Sequence, residues 1–263
     1  MSPGRSILGD MLHLMTRNLG YRTAAMDWLT ALTIRPDAPD ILFLQEVIST
    51  RLREIDAQYL VFARGRRGDR PHGRDSVIAV RRDLNIAVEQ DDDTFGLLGS
   101  YASCVRLVLD RPIVLASVHT SPRPYDGPPI AGLAARSECE STPWWSDALV
   151  HDMTQHRGTP MVVAGDLNEA RRWDVQNPRH SCSNRFFELV EEAGFVDLTF
   201  RDWRKQERPT RWSPDYQLDR VLASEGAQAL THVRDAHPRD DGVSDHAAIA
   251  FTLSPSGTVG GQD

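Results

Sequence analysis

The sequence has few cysteines, a single lysine and no long apolar run. The cysteine count and the lack of an apolar run each exclude a class of protein. Its three cysteines, Cys104, Cys139 and Cys182, show no paired spacing, so they support neither a disulfide framework nor a cysteine zinc site. No stretch approaches the ~18 consecutive apolar residues that a membrane-spanning helix needs. The N-terminus also lacks the charged start, apolar run and cleavage site of a secretory signal. These absences favour a protein of the reducing cytoplasm.

Basic charge is carried almost entirely by arginine. Lys205 is the only lysine among 30 basic residues, and the net charge is -7. Codon bias in a GC-rich genome is the simplest explanation, although arginine is also the better planar, bidentate ligand for phosphate. The negative total does not favour nucleic acid as a partner, but a local basic cleft or a divalent metal could offset it.

The length and composition are those of a globular protein. With 263 residues, 40% of them hydrophobic and 25% charged, the chain suits one large domain. It shows neither an internal repeat nor a shift in composition that would mark a linker. We therefore expect one domain over residues 1–253, followed by a small, glycine-rich tail over residues 254–263 that is disordered.

Short apolar runs predict strands. Each is about the length of a strand and is bounded by Pro, Gly, Asp or Asn, and several are apolar throughout, as expected where both faces are covered. The runs are Leu12–Met15, Ile41–Leu44, Val77–Val80, Val105–Leu109, Ile113–Val118, Met161–Ala164, Leu218–Ala223 and Ala247–Leu253.

Helical patterns lie between these runs. Thr23–Leu32 and Pro143–His156 place apolar residues on one side at helical spacing. Asn184 is predicted to cap a third helix that runs through Ala193 and ends at Gly194. Strands and helices thus interleave, which predicts a mixed α/β (α+β) class.

Four turn-rich segments, 64–74, 91–100, 121–132 and 173–183, are long for a compact domain, and such loops often carry recognition. The first contains the one local basic cluster. It could track a nucleic-acid backbone or clamp phosphates, but on charge alone a solvated loop is the better interpretation. Its candidate substrate-binding residues are Arg64, Arg66, Arg67 and Arg74.

Tryptophans could stack on the bases of a substrate. Trp144, Trp145 and Trp173 are more simply interpreted as core residues. Trp212 is the better candidate for a substrate contact, because it stands beside Arg211 in a turn-rich segment.

Polar residues cluster at the ends of the apolar runs. A single carboxylate at the end of a strand is most often a helix cap or a turn former. Repetition of the pattern favours a site built where strands end. The residues are Asn18, Glu46, His119, Asp166, Asn168, Asp219, Asp245 and His246.

Six short motifs contain these residues: Thr16-Arg17-Asn18, Leu44-Gln45-Glu46, Ser117-Val118-His119, Gly165-Asp166-Leu167-Asn168, Leu218-Asp219-Arg220-Val221 and Ser244-Asp245-His246. In order and separation they resemble the motifs of the metal-dependent endonuclease/exonuclease/phosphatase superfamily. That superfamily includes DNase I-like nucleases, abasic-site endonucleases, inositol polyphosphate phosphatases and neutral sphingomyelinases. The resemblance implies a DNase I-like four-layer α/β/β/α sandwich, with the site at one end of two packed sheets.

The resemblance implies hydrolysis of a phosphoester with Mg²⁺ or Mn²⁺. Glu46 and Asp245 would hold the ion, and Asn18 would fix its water or the phosphate. Asp166 would orient or deprotonate the attacking water, and Asn168 would donate to a phosphate oxygen. On local grounds alone, Glu46 could instead supply negative charge to a helix near residues 50–57, and Asn18 could be a turn residue.

Two histidines have separate implied roles. His246 would contact the scissile phosphate and be oriented by Asp219, whose carboxylate favours the charged imidazolium by raising the histidine pKa. His119 would protonate the leaving oxygen or bind the phosphate. In DNase I-like members a glutamate orients this histidine, and here the stretch 73–78 offers only Asp75.

The substrate is open at this point. The arginine-rich loop and the DNase I-like run Leu218–Ser224 favour a nuclease acting on DNA or RNA. The acidic net charge and the lack of lysine patches leave a phosphatase or phosphodiesterase, acting on a small molecule or lipid headgroup, as the alternative. A non-catalytic binding protein on the same scaffold is the third interpretation.

Overall fold

A computed structural model describes residues 11–64, 73–127, 129–133, 142–176, 183–211, 215–236 and 242–255. The strands are β1 (Leu12–Asn18), β2 (Ile41–Ile48), β3 (Tyr59–Phe62), β4 (Gly73–Arg81), β5 (Ala87–Gln90), β6 (Ala102–Val108), β7 (Ile113–His119), β8 (Met161–Asp166), β9 (Phe195–Asp197), β10 (Asp219–Ser224), β11 (Thr231–Ala236) and β12 (Ile249–Leu253). The helices are α1 (Thr23–Thr33), α2 (Trp145–Gln155), α3 (Arg171–Gln176), α4 (Ser183–Glu192), α5 (Leu198–Asp202) and α6 (Glu225–Gln228). In these ranges no helix is long and apolar enough to cross a membrane.

The strands form two mixed sheets of six strands each. The first has the order β11-β12-β1-β2-β4-β3 and the second the order β5-β6-β7-β8-β10-β9. Each of the eight predicted apolar runs overlaps a strand, which confirms those predictions. The four strands that the apolar runs did not reveal, β3, β5, β9 and β11, are the outermost strands of the two sheets.

The three predicted helices overlap α1, α2 and α4, and the segment near residues 50–57 begins with a 3₁₀ helix, Ser49–Glu54. The predicted cap at Asn184 is wrong. The carboxylate of Asp174 in α3 instead accepts the N–H groups of Ser183 at 3.0 Å and of Asn184 at 2.7 Å. Gly194 ends α4 as predicted, with a φ of 85° and its N–H donated to Glu191.

Helices cover the outer faces of both sheets, which confirms the expected four layers. Apolar residues of the two inner faces pack together, for example Phe43 of β2 and Leu115 of β7. On the outer side, Leu42 of β2 packs against α1, and Val163 of β8 packs against α2 and α4. Central strands therefore bury both faces, which accounts for their continuous apolar sequences.

Along the inner faces the residues change from apolar to polar toward one end of the sandwich. Because side chains two residues apart lie on the same face of a strand, this change is seen at every second residue. The series are Leu12, Leu14, Thr16 and Asn18 in β1, Ile113, Leu115, Ser117 and His119 in β7, and Val80, Ile78 and Ser76 in β4.

Buried hydrogen bonds join the two sheets at this polar level. Gln45 Nε2 of the first sheet donates to Ser117 Oγ of the second at 2.9 Å, and Ser117 Oγ donates to the carbonyl of Leu44 at 3.2 Å. Ser76 Oγ donates to the Ser117 carbonyl, and Ser103 Oγ donates to the Ser76 carbonyl at 2.8 Å. These directional contacts fix the sheets relative to each other beside the strand ends.

Gly165 allows β7 and β8 to approach closely just before the strands end. Its φ is 149°, and a Cβ there would lie 1.9 Å from the Val118 carbonyl oxygen and 3.0 Å from Gln45 Nε2. Only glycine satisfies both the conformation and the space. The glycine thereby holds Asp166 directly opposite His119 in the register of these two strands.

At the end of the chain, Ser254, the first residue of the expected tail, donates its N–H to the Leu230 carbonyl at 2.9 Å. The rest of that tail from residue 256 lies outside the described residues.

We predict that Gly165→Ala lowers the free energy of unfolding by about 3 kcal/mol or more, because backbone strain and overlap with the Val118 carbonyl add together. Gly158→Ala is the matched control. Gly158 also has positive φ, at 92°, but a Cβ there meets nothing within 4 Å. The control should lose only about 1–2 kcal/mol. Equal losses in urea denaturation of the two variants would contradict the close approach at Gly165.

Candidate active site

The ends of β1, β7 and β8 meet around Asn18, together with Glu46, which lies two residues before the end of β2. The parallel pair β1 and β2 lies beside the parallel pair β7 and β8. Asn18 Nδ2 donates to Glu46 Oε1 at 3.1 Å and, across the sandwich, to Asp166 Oδ2 at 2.9 Å. Asn18 Oδ1 accepts the N–H of Gly20 at 2.9 Å, so the fully buried amide has a fixed orientation. Asn18 thus holds two carboxylates from different sheets at one place, while its predicted contact with a metal's water or a phosphate stays a prediction.

Glu46, His119 and Asp166 form a group that could hold a metal ion. One ligand atom from each lies within 4.8 Å of the other two, and His119 Nε2 is 3.4 Å from Glu46 Oε1. Carboxylate oxygens suit Mg²⁺ or Mn²⁺, and an imidazole nitrogen suits transition metals. The donor set therefore fits a divalent cation. It contains the predicted ligand Glu46 together with two residues for which other roles are predicted.

Asp245, the other predicted metal ligand, lines the same pocket. Its Oδ1 lies 3.0 Å from Arg22 Nη2, and a third of its side chain is exposed. The ion pair places Asp245 at the rim of the pocket rather than in the cluster around Asn18. Arg22 is a site residue that the sequence motifs did not indicate.

Asp166 and Asn168 both line the pocket, although only Asp166 belongs to a strand. β8 ends at Asp166, and Asn168 has a φ of 51°, so the chain turns sharply between them. Asp166 Oδ1 accepts the backbone N–H of Asn168 at 2.9 Å, and Asn168 Nδ2 donates to the Thr120 carbonyl at 2.6 Å. The Asp166 carboxylate is thus oriented by two donors, one on each oxygen.

Three of the five non-glycine residues with positive φ in the described ranges lie at or next to the pocket, and the other two, Arg204 and Lys205, follow α5. Tyr21, Glu46 and Asn168 have φ values of 52°, 51° and 51°, a left-handed conformation that costs a non-glycine residue about 1–2 kcal/mol. Glu46 and Asn168 line the pocket, and Tyr21 donates its N–H to the Glu46 carbonyl at 2.7 Å. Strain of this kind persists where the surrounding structure requires it, and it is typical of functional sites.

His246 and Asp219 form a buried pair, the arrangement that the resemblance implied. His246 Nδ1 lies 2.8 Å from Asp219 Oδ2, and His246 Nε2 lies 3.7 Å from Asp166 Oδ2. Burial opposes the charged imidazole, but Asp219 and then Asp166 outweigh it and raise the pKa of His246 to about 9. At neutral pH the ring is an imidazolium whose Nε2 is directed toward Asp166.

These residues surround one pocket with a volume of about 310 Å³. Arg211, known from the sequence only as the neighbour of Trp212, also lines it and forms an antiparallel bridge with His246. No local motif could have revealed Arg211 or Arg22, because the fold brings them to the site. The lining residues are Asn18, Gly20, Arg22, Glu46, His119, Pro122, Asp166, Asn168, Arg211, Asp245 and His246.

Arg64 does not line this pocket. Its Nη1 donates to the Phe95 carbonyl at 2.5 Å, its Nε lies 3.2 Å from Asp92 Oδ1, and only 10% of its side chain is exposed. These contacts make Arg64 part of the fold, which matches neither the solvated position favoured by charge alone nor the alternative of phosphate binding. The remaining predicted substrate contacts, Arg66, Arg67 and Trp212, lie outside the described residues, as do the side chains of Arg74 and Asp75.

His119 lies at the cluster, and within the described residues its second ring nitrogen has no hydrogen-bond partner. Among the described residues, His119 Nδ1 is buried and accepts or donates no hydrogen bond. The ring of Tyr101 lies edge-on to it, with 6.3 Å between ring centroids. Whether Asp75 orients His119 stays a prediction.

The model of one protein family, the endonuclease/exonuclease/phosphatase family, matches residues 16–246. No curated protein has a significantly similar sequence.

Several solved structures share the fold. The endonuclease domain of TRAS1, a telomere-specific non-LTR retrotransposon, superposes with a TM-score of 0.65 and 18% identity over 94% of this chain and 100% of that one. An AP endonuclease from Leishmania major gives a TM-score of 0.64 with 14% identity, covering 93% of this chain and 88% of its own. A 3'-5' exonuclease from Neisseria meningitidis gives a TM-score of 0.63 with 17% identity, covering 92% of this chain and 100% of its own. At these identities the likeness concerns the fold.

We predict that Asp219→Asn lowers the pKa of His246 by one unit or more, because it removes the largest source of stabilisation for the imidazolium. The raised pKa also means that this pair stabilises the fold below pH 6.5 and that the contribution is lost as the pH rises through about 9. NMR titration of the histidine resonances, carried out in EDTA, measures the His246 pKa in the wild-type and Asp219→Asn proteins.

The control for this titration is Asp83→Asn, which removes an exposed carboxylate beyond the end of β4 opposite to the pocket. His246 should keep its pKa in that variant. An unchanged His246 pKa in Asp219→Asn would show that Asp219 does not govern its charge.

Proposed function

The chain belongs to the endonuclease/exonuclease/phosphatase family, and from that membership we propose that it is a divalent-metal-dependent nuclease that hydrolyses phosphodiester bonds of DNA or RNA. One observation carries the proposal: the Asn18 amide brings Glu46 and Asp166 together from two sheets, directly beside the charged imidazole of His246. Such a set can bind a phosphate, activate water and neutralise the charge that develops at phosphorus.

The metal site in this proposal is built on Glu46. Mg²⁺ or Mn²⁺, when bound, polarises the phosphoryl group and stabilises the leaving oxygen. Glu46 offers a carboxylate oxygen from β2, with Asp166 and His119 within ligand distance of a shared centre and Asp245 at the rim. Asn18 holds the two inner carboxylates close together against their mutual repulsion.

Asp166 is the proposed base. An ionised carboxylate only accepts hydrogen bonds, so it can orient a water molecule and take its proton as the oxygen attacks phosphorus in line with the leaving group. Its two oxygens are held by Asn18 Nδ2 and the Asn168 N–H. The Asn168 amide carries a second N–H beyond the one bound to Thr120, which can reach a non-bridging phosphate oxygen.

His246 is the proposed phosphate ligand. Its Nδ1 is fixed by Asp219, which leaves Nε2 as the donor to a phosphate oxygen. The imidazolium form favoured at neutral pH stabilises negative charge as it builds up on that oxygen. His119, at the end of β7, is placed to protonate the leaving oxygen or to bind the phosphate.

Two observations support a polynucleotide substrate. Arg22 and Arg211 line the pocket, and arginine is the side chain best suited to bind phosphates on either side of a scissile bond. The similar structures described above also include two endonucleases and an exonuclease.

A phosphatase or phosphodiesterase acting on a small molecule or lipid headgroup is the second candidate. The observation in its favour is the pocket volume of about 310 Å³, which lies within the range of small-molecule sites.

We predict that Asp166→Asn reduces cleavage of single-stranded oligonucleotides, plasmid DNA or RNA by at least about 10²-fold, because the neutral amide cannot accept the proton of the attacking water. Wild-type cleavage should require Mg²⁺ or Mn²⁺ and stop in EDTA. Asp83→Asn is the control that removes a carboxylate away from the pocket. Intact nucleic acids together with phosphate release from inositol phosphates or nucleotides would establish the second candidate instead.

We also predict that Asn18→Ala weakens Mn²⁺ binding about 10- to 100-fold, as loss of a residue that orients metal ligands commonly does. Calorimetric titration of the folded variant measures this affinity. Asn184→Ala, which removes an exposed asparagine from the first turn of α4, is the matched control. Wild-type affinity in Asn18→Ala would mean that Glu46 and Asp166 do not share the ion.

A further inference from the structure

Trp173 is an exposed aromatic side chain close to the pocket. Among the described residues, the large apolar side chains that are exposed are Met11, Ile34, Val108 and Trp173. Trp173 is the aromatic member of this set, with 39% of its surface exposed. Its location, outside the core that its sequence pattern suggested, requires an explanation.

The indole packs against Tyr216 and remains partly exposed. Its ring lies 5.2 Å from the ring of Tyr216, with 36° between the two planes. Tyr216 is itself buried in a small apolar cluster with Ala170 and Leu218. One part of the indole is therefore packed on a rigid support, while another part faces solvent.

Hydrogen bonds connect this support to the pocket. The Tyr216 carbonyl accepts the N–H groups of Thr210 at 3.0 Å and Arg211 at 3.1 Å. Arg211 lines the pocket and forms the bridge with His246. Trp173 also follows Asn168 by five residues, a separation of at most about 18 Å even in an extended chain. Trp173 is thus linked to the pocket through Tyr216 and Arg211.

The surroundings match the chemistry of a nucleic-acid strand. Arg172, which is exposed, precedes Trp173, and Arg211 stands between its support and the pocket. An aromatic face takes up a base by stacking, while neighbouring arginines bind the backbone phosphates. A lipid headgroup or an inositol ring offers no flat aromatic face to such a surface.

We propose that Trp173 is the stacking platform for a nucleobase of a single-stranded segment that flanks the scissile phosphate. The assignment rests on the proposed nuclease function and specifies its substrate. It makes Trp173 a specificity-determining residue that discriminates strands with bases from phosphoesters without them.

The test compares binding of a short oligothymidylate with binding of an abasic strand that has the same number of phosphates. Both are titrated into protein that carries Asp166→Asn and therefore leaves the strand intact, in the presence of Mg²⁺. Adding Trp173→Ala should weaken binding of oligothymidylate about 5- to 100-fold and leave binding of the abasic strand unchanged. Trp173→Phe should restore most of the affinity, since a ring remains. Oligothymidylate should quench tryptophan fluorescence less in the Trp173→Phe protein than in its parent.

Val108→Ala is the control for loss of an exposed apolar side chain. Val108 is 44% exposed and is the last residue of β6. Because Leu107 pairs with Ile113, the first residue of β7, Val108 lies at the opposite end of the sheet from His119. The stacking proposal would be overturned if Trp173→Ala weakened binding of both strands equally or did not weaken binding of oligothymidylate. It would also be overturned if the parent protein did not bind oligothymidylate. Selective, Trp173-dependent binding by a wild-type protein that cleaves no phosphodiester would instead sustain the platform and overturn the proposed nuclease function.

Discussion

Hydrogen bonds buried between the two sheets are the constraint on which the site depends. An apolar interface is non-directional and by itself tolerates small shifts of one sheet over the other. The hydrogen bond between Gln45, which is opposite the last residue of β1, and Ser117, two residues before the end of β7, removes that freedom. The hydrogen bond between Asn18 and Asp166 continues the connection into the pocket. Each of these groups is buried, so a shift would leave donors or acceptors unsatisfied at a cost of about 1–3 kcal/mol each. The catalytic geometry is therefore a property of the sheet interface.

The central strands could be predicted from sequence because both of their faces are buried. β2 and β8 bury nearly every residue, which gives continuous apolar runs that are hard to mistake. The outermost strands carry no such signal except β3, whose four residues Tyr59–Phe62 are all apolar. β5 exposes most of its side chains, and β9 contains only three residues, so their pairing is determined by neighbouring strands rather than by their own sequences.

The candidate site was predictable where chemistry follows directly from a strand end. The Asp219–His246 pair and the two carboxylates around Asn18 were indicated by short motifs. Arg22 and Arg211 were not, because tertiary contacts bring them to the pocket, and Asp174 caps α4 from another helix for the same reason. In the arginine-rich loop, charge alone favoured a solvated position over phosphate binding. Arg64 instead binds the Phe95 carbonyl and Asp92, contacts that local charge could not predict.

The exposed polar residues of two outermost strands, β5 and β11, also bear on how the protein behaves at high concentration. The free margin of a sheet can recruit a strand from another molecule, which is the first step of edge-to-edge aggregation. β5 presents Glu89 and Gln90 to solvent, and β11 presents His232 and Arg234. A strand added at either margin would have to accommodate these side chains on its own surface. The same lack of apolar pattern that hides β5 and β11 in the sequence thus protects one margin of each sheet from pairing with another molecule.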